Sequence, residues 1–192
     1  DVTLTSTGGS IIFPSNGSSP NGSGISSDGT PRSLTINGNA SFGTLIGSGT
    51  TPAPATTANP LSSLTVNGLA TFTGNGDSVT TTGDQNYNGG VSLGVNTSLS
   101  SLKGGDISFG TNLVPATINN ARSLTINSGV SSPGDVNFWG AVGNTTALTA
   151  LDVTGDSINI YGGSMRTSGA QTYRNLVTLF SNTILTSTGS SL

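Results

Sequence analysis

Apolar residues in this chain come in short runs that alternate with polar ones at period two, as in Leu64-Thr65-Val66, Ser157-Ile158-Asn159-Ile160 and Val177-Thr178-Leu179. That is the pattern of a β-strand with one buried face. No window of twelve carries an uninterrupted 3.6-residue period, so amphipathic helices are not expected. Candidate inward residues recur every seven or eight positions through Leu64, Phe72, Val79 and Tyr87, then at Leu93 and Leu99. The spacing predicts three short strands per coil of roughly 20–25 residues, the size of one rung of a parallel β-solenoid. Stacked rungs set like residues over like at about 4.8 Å, with Asn and Gly turning the corners. The expected fold is therefore all-β. Its predicted core ladder comprises Phe13, Phe42, Phe72, Phe109 and Phe138, Leu34, Leu64, Leu124 and Leu151, and Tyr87 and Tyr173.

Strand-like phrases also return in fixed order. Ser78 to Asn88 reappears as Ser164 to Arg174 at an offset of 86, and the frame runs on through Val91-Ser92-Leu93 against Val177-Thr178-Leu179. Ser33-Leu34-Thr35-Ile36-Asn37 returns unchanged as Ser123-Leu124-Thr125-Ile126-Asn127, an offset of 90, and Phe13 and Phe42 match Phe109 and Phe138 at 96. Strand phrases are kept while the loops between them vary in length, as in a repeat array that tolerates insertions. The chain reads as one continuous segment, 1–192, in two superunits of approximately 1–97 and 98–192, with long loops at 14–31, 47–60 and 110–122. Leu4-Thr5-Ser6-Thr7-Gly8 near the front matches Leu185-Thr186-Ser187-Thr188-Gly189 near the back. Neither end reads as a cap, which points to a segment of a longer repetitive polypeptide or to a unit stacking end to end with copies of itself. Two tandem immunoglobulin-like sandwiches are the rival fold, and the finer repeat favours the solenoid over them. Disorder is the rival for the Gly-, Ser- and Pro-rich loops, where little apolar surface offsets chain entropy.

Composition narrows the chemistry. The formal charge is −3, charged residues are 7% of the total, and there is no Glu, so polarity comes from Thr, Ser, Asn and Gly. With no His and no Cys, zinc, haem, iron–sulfur and His-based triad chemistry are not expected, and no cofactor is assigned. Paired carboxylates on a β-helix could cleave a polysaccharide, and Asp135 and Asp156 lie 21 apart, close to one rung. Gly-Asp and Asp-Gly pairs such as Gly134-Asp135 and Asp28-Gly29 fit better as turns in which Asp caps its own backbone. A weak calcium site is the third reading of these aspartates, although no Gly-Gly-x-Gly-x-Asp ladder occurs. Five scattered cations on an acidic chain make no phosphate-tracking surface, so nucleic acid is not an expected partner. No stretch approaches eighteen apolar residues, so no transmembrane segment is predicted, and no signal peptide opens the chain. Val79-Thr80-Thr81-Thr82 and Leu64-Thr65-Val66 are expected to put Thr on the outer face, in flat rows that resemble ice-binding surfaces, with β propensity as the simpler cause.

Val136-Asn137-Phe138-Trp139-Gly140-Ala141-Val142-Gly143, Thr146-Ala147-Leu148 with Leu151-Asp152-Val153-Thr154, and Thr167 to Tyr173 resemble the repeat regions of large bacterial surface proteins of the filamentous haemagglutinin and autotransporter adhesin type. The resemblance implies a secreted, right-handed parallel β-helical stalk at the cell surface, serving adhesion, biofilm or surface structure. The expected function is a structural stalk or extracellular filament segment without catalytic turnover. Its expected partner is itself, as tandem repeats or as an end-to-end or lateral homopolymer. An adhesin module that binds surface glycans or cells through its loops is the alternative, and a polysaccharide-active enzyme the remote one.

Overall fold

The computed structural model describes residues 1–14, 24–47, 59–74, 78–129 and 133–189, and the regular elements among them are all strands. In chain order they are β1 (Val2–Phe13), β2 (Gly24–Ile25), β3 (Ser33–Phe42), β4 (Leu45–Ile46), β5 (Ser63–Val66) and β6 (Ala70–Phe72). Next come β7 (Ser78–Thr81), β8 (Gln85–Tyr87), β9 (Val91–Leu93), β10 (Thr97–Ser101), β11 (Ile107–Phe109) and β12 (Ile118–Asn119). The last are β13 (Ser123–Asn127), β14 (Val136–Phe138), β15 (Ala150–Ile160), β16 (Ser164–Thr167), β17 (Gln171–Leu179) and β18 (Ile184–Ser187). Two of these, β2 and β12, lie inside stretches read from the sequence as loops, 14–31 and 110–122. Positions 15–23 and 48–58 of the first two loops fall outside the described residues.

Every pairing between these strands is parallel, and the pairings fall into three series. The first joins the start of β1 to the start of β3, then β5, β8, β11, β14 and the ends of β15 and β17. The second joins the ends of β1 and β3 to β6, β9, β12, the single bridge residue Val142, β16 and β18. The third runs through β2, β4, β7, β10, β13 and the starts of β15 and β17. Antiparallel sheets are what an immunoglobulin-like sandwich requires, so that rival fold is excluded. The chain passes through the series in the order first, second, third. A return to the first takes as many as 32 residues, from Leu4 to Ile36, and as few as 19, from Ile160 to Leu179. The long returns run through 15–23, 48–58 and 110–117.

Alternation puts one set of side chains inside. Leu64 and Val66 of β5, Ala70 and Phe72 of β6, and Ile107 and Phe109 of β11 are buried, while Thr65, Thr71 and Ser108 between them are not. The buried side chains form one core cluster along the chain, against which Leu4, Ile11, Phe13, Tyr173 and Val177 pack in part. Parallel register turns that core into columns. Ile25, Ile46, Val79, Leu99, Ile126, Val153 and Tyr173 are successive partners in the third series. Aromatic rings make two further runs. Phe13, Phe42 and Phe72 stack in the second series with centroids 5.6 and 5.5 Å apart. Tyr87, Phe109 and Phe138 stack in the first at 5.5 and 5.3 Å. An edge-on contact of Phe72 with Tyr87, at 6.2 Å and 67°, links the two runs.

The structure revises how the sequence repeat maps onto the strands. Ser33-Leu34-Thr35-Ile36-Asn37 lies in the first series, and its identical copy Ser123–Asn127 lies in the third. Phe13 and Phe42 belong to the second series, and their matches Phe109 and Phe138 to the first. One rule covers these cases and also Leu64 with Leu151, Tyr87 with Tyr173, and Val91 with Val177. Counting one strand position per series per circuit, the second copy always falls eleven positions after the first. Eleven is one short of four full circuits, so each repeat steps back by one series. Leu4 and Leu185, two repeats apart, are separated by twenty-two positions.

Phe109 is sandwiched between Tyr87 and Phe138 and fully buried. Phe109→Ala is expected to cost about 3–5 kcal/mol in urea unfolding. Leu113→Ala, at a side chain that is 86% exposed, should change stability by less than about 0.5 kcal/mol. Equal effects from the two substitutions would contradict the columnar core.

Candidate functional site

Every carboxylate side chain of the chain belongs to an aspartate. Asp84, Asp106 and Asp135 each precede a strand of the first series, and they stand in line. Asp84 Oδ1 accepts the Asp106 N–H at 3.0 Å, Asp106 Oδ1 accepts the Asp135 N–H at 2.8 Å, and Asp135 Oδ1 accepts the Ser157 N–H at 3.2 Å. The expectation that these residues cap their own turns is corrected here. The bonded N–H groups lie 22, 29 and 22 residues along the chain, on the neighbouring strand. Among the described residues Asp28 alone follows the expected pattern, accepting from Thr30 N–H while its carboxylate pairs with Arg32 at 2.8 Å. That hydrogen bond from Arg32 holds the Asp28 carboxyl below its ordinary value. Asp135 is bonded to Ser157, and the Asp156 N–H instead donates to the Gly134 carbonyl, so Asp135 and Asp156 are not register partners. Among the described residues no three carboxylates come together in a way that could hold a metal ion.

The polar groups that do converge are ones the sequence reading passed over. Gln85 is fully buried, its Nε2 bonded to Thr81 Oγ1 at 3.2 Å and to the Ser100 carbonyl at 2.9 Å. Its Oε1 accepts the Tyr87 hydroxyl at 2.9 Å, and Thr81 Oγ1 donates to the Gly83 carbonyl at 2.5 Å. The same network recurs around Gln171. Its Nε2 reaches Thr167 Oγ1 and the Thr186 carbonyl, the Tyr173 hydroxyl donates to its Oε1 at 2.8 Å, and Thr167 Oγ1 donates to Gly169. A Thr-x-Gly-x-Gln-x-Tyr phrase therefore closes a corner from within, and the sequence signal for it was the repeat itself. The expected outward row of Val79-Thr80-Thr81-Thr82 is corrected by this arrangement, because Thr81 points inward and is buried.

The outer corner that follows the first series changes character along its length. Thr5, Asn37, Asn67, Asn88, Gly110, Trp139, Tyr161 and Phe180 occupy one column. Its first part is an amide ladder: Asn67 Nδ2 donates to Asn37 Oδ1 at 2.7 Å, and Asn88 Nδ2 to Asn67 Oδ1 at 2.8 Å. Behind the ladder, Gly68 lies against Gly38, at φ +134°, and Gly89 against Gly68; a Cβ on either of the later two would strike the backbone before it. The last part of the column is an external aromatic stack. Trp139 and Tyr161 are 3.6 Å apart between centroids, and Tyr161 and Phe180 4.3 Å. Gly110 separates the two parts, and the backbone of residues 114–116 fills the space its side chain would need.

Three of the five cations have separate partners. Arg122 Nε donates to the Gly94 carbonyl, and Arg174 pairs with Asp152 at 3.0 Å, so Arg32 and Arg122 do not share a role despite their shared sequence context. An apolar recess of about 300 Å³ lies between Val2, Leu4, Phe13, Ile25, Leu34 and Leu61, with Asp28 and Arg32 at its border. Among the described residues no helix is long and apolar enough to cross a membrane. The predicted ladder residues lie as follows: Phe42, Phe72, Phe109, Phe138, Leu34, Leu64, Leu124, Leu151 and Tyr87 are buried in the core, and Phe13 and Tyr173 pack against it in part. No family model, curated protein or solved structure matches the chain.

Burial pushes the Tyr173 hydroxyl up to about 12, and that of the fully buried Tyr87 higher still. The folded state thus keeps both hydroxyls neutral where an unfolded chain ionises them near pH 10. Their contribution to stability is complete below that pH and is lost as pH rises above it, through about 12 for Tyr173. Stability measured by urea unfolding should therefore fall with increasing slope above about pH 10. Tyr87→Phe should lower stability at neutral pH by about 1 kcal/mol and make the alkaline slope shallower; an unchanged slope would contradict the burial argument.

Proposed function

We propose that this chain is a segment of a rigid stalk or extracellular filament, wound as a right-handed parallel β-solenoid with three short strands per rung. One observation carries the reading: in each of the three series, parallel pairing continues from the first strands to the last. Such a body transmits load along the stacking axis through many backbone hydrogen bonds and a dry core, and catalytic turnover plays no part in it. Seven steps of about 4.8 Å make this segment roughly 35 Å long. In a longer array, each eleven-strand repeat would advance roughly 18 Å and turn by a third of a revolution. Loops recurring with the repeat would then spiral round the rod and face every direction. The scarcity of charge and the absence of Cys suit a protein at the bacterial surface whose cohesion comes from stacking.

Recognition of cells or surface glycans through loops is the second reading, and the loop after β11 favours it. A turn closed by Thr111 N–H to the Val114 carbonyl holds Leu113 and Val114 outward, 86% and 56% exposed.

Electron microscopy of the native material, with an antibody raised against the loop at 111–115, separates the two readings. Thin fibres labelled along their length are expected for the stalk. Label confined to compact particles, with no fibre present, would overturn it. Binding of the isolated segment to cells, abolished by Leu113→Ser with Val114→Ser, would establish the second reading.

A further inference from the structure

The amide ladder carries a covalent chemistry that does not depend on the stalk reading. Asn37, Asn67 and Asn88 are each followed by glycine, as Asn37-Gly38, Asn67-Gly68 and Asn88-Gly89. Glycine has no side chain to shield its amide nitrogen, so that nitrogen can attack the Cγ of the preceding asparagine. An N–Cγ bond forms, the side-chain nitrogen leaves as ammonia, and water opens the resulting imide at either carbonyl. The products are aspartate or isoaspartate, and solvent is the only co-reactant. Two restraints oppose the attack: an asparagine side chain held by hydrogen bonds, and a glycine N–H already donated elsewhere.

The three pairs differ in both restraints. Asn67 is held from both sides, donating to Asn37 and accepting from Asn88, and the Gly68 N–H donates to the Gly38 carbonyl at 2.9 Å. Asn37 accepts from Asn67 and sits within β3. Asn88 donates to Asn67, but the next position in its column is Gly110, which offers no side chain to bond its Oδ1. Asn88 and Gly89 form a turn, Gly89 is exposed, and its N–H makes no backbone hydrogen bond. We propose that Asn88 is a site of spontaneous deamidation, and that the ladder protects the chemically equivalent Asn67. Conversion replaces a donor by a carboxylate, which only accepts, so the bond to Asn67 Oδ1 is lost. Isoaspartate also adds a backbone carbon between β8 and β9, at a corner where Gly89 rests on Gly68.

Incubation of the folded chain at mildly alkaline pH, followed by peptide mapping for the mass gain of amide-to-acid conversion, tests this. Mapping also separates the pairs at Asn16, Asn21 and Asn75, each of which precedes glycine. Asn88 should convert roughly 25-fold faster than Asn67, about fivefold for each of the two hydrogen bonds that Asn67-Gly68 makes and Asn88-Gly89 lacks. In urea the two rates should converge. Asn88→Gln, which closes the imide ring far more slowly, should reduce the released ammonia by the share that maps to Asn88 and keep the melting midpoint. Equal or faster conversion of Asn67 in the folded chain, or a difference that survives unfolding, would overturn the proposal.

Discussion

Parallel pairing places every side chain about 4.8 Å from its counterpart on the next strand, and that constraint decides which residues this chain can use. Aromatic rings tolerate the distance well, stacking at 5.3–5.6 Å inside. Amides tolerate it because each can donate to the next, as Asn67 and Asn88 do. Like charges do not: two of them at that spacing repel by about 1 kcal/mol even in water, and a column multiplies the cost. Charged residues are accordingly 7% of the chain, with Thr, Ser and Asn taking the outer positions. The row of Asp84, Asp106 and Asp135 is the exception, and each of these carboxylates accepts an N–H from the next strand.

The eleven-position repeat follows from the same constraint applied to three similar sides. A phrase survives transplantation from one series to another only if its surroundings are rebuilt there. The Gln85 network, with Gln85 and Tyr87 in the first series, and the Gln171 network, with Gln171 and Tyr173 in the third, show that rebuilding bond for bond. Each takes a carbonyl from the adjoining circuit, Ser100 in one case and Thr186 in the other. What a repeat must preserve is the local corner and its neighbour, and neither depends on which series holds it.

Strand type was legible in the sequence because period-two alternation directly reflects one buried face, and the parallel arrangement followed from phrases that recur with variable loops. The phase of the repeat was not legible. Ser33–Asn37 and Ser123–Asn127 are identical, and identity reports a shared environment, whereas the series is set by how many strands intervene. Two of those, β4 and β12, are two residues long and sit among Gly, Thr and Asn, where no alternation can register. The inward Gln85 and Thr81 escaped for another reason. Polar residues are ordinarily assigned to the wet face, and only their partners reveal otherwise.

Those buried amides also bear on why the windings do not slip. An all-apolar column of Leu, Ile and Val accepts several registers, because one branched aliphatic packs on another with little preference. A one-residue slip reverses every side chain, but a shift by two keeps the apolar face inside and is penalised only weakly by the core. Gln85 penalises it heavily. Shifted by two residues against the adjoining circuit, its Nε2 would leave the Ser100 carbonyl, and a buried hydrogen bond left unmade costs about 1–3 kcal/mol. The aromatic column adds a second lock where Phe72 passes its stack edge-on to Tyr87, since that contact bridges two series and fixes their relative register. Polar corners and the aromatic crossover thus supply the specificity that stacked aliphatic strands lack.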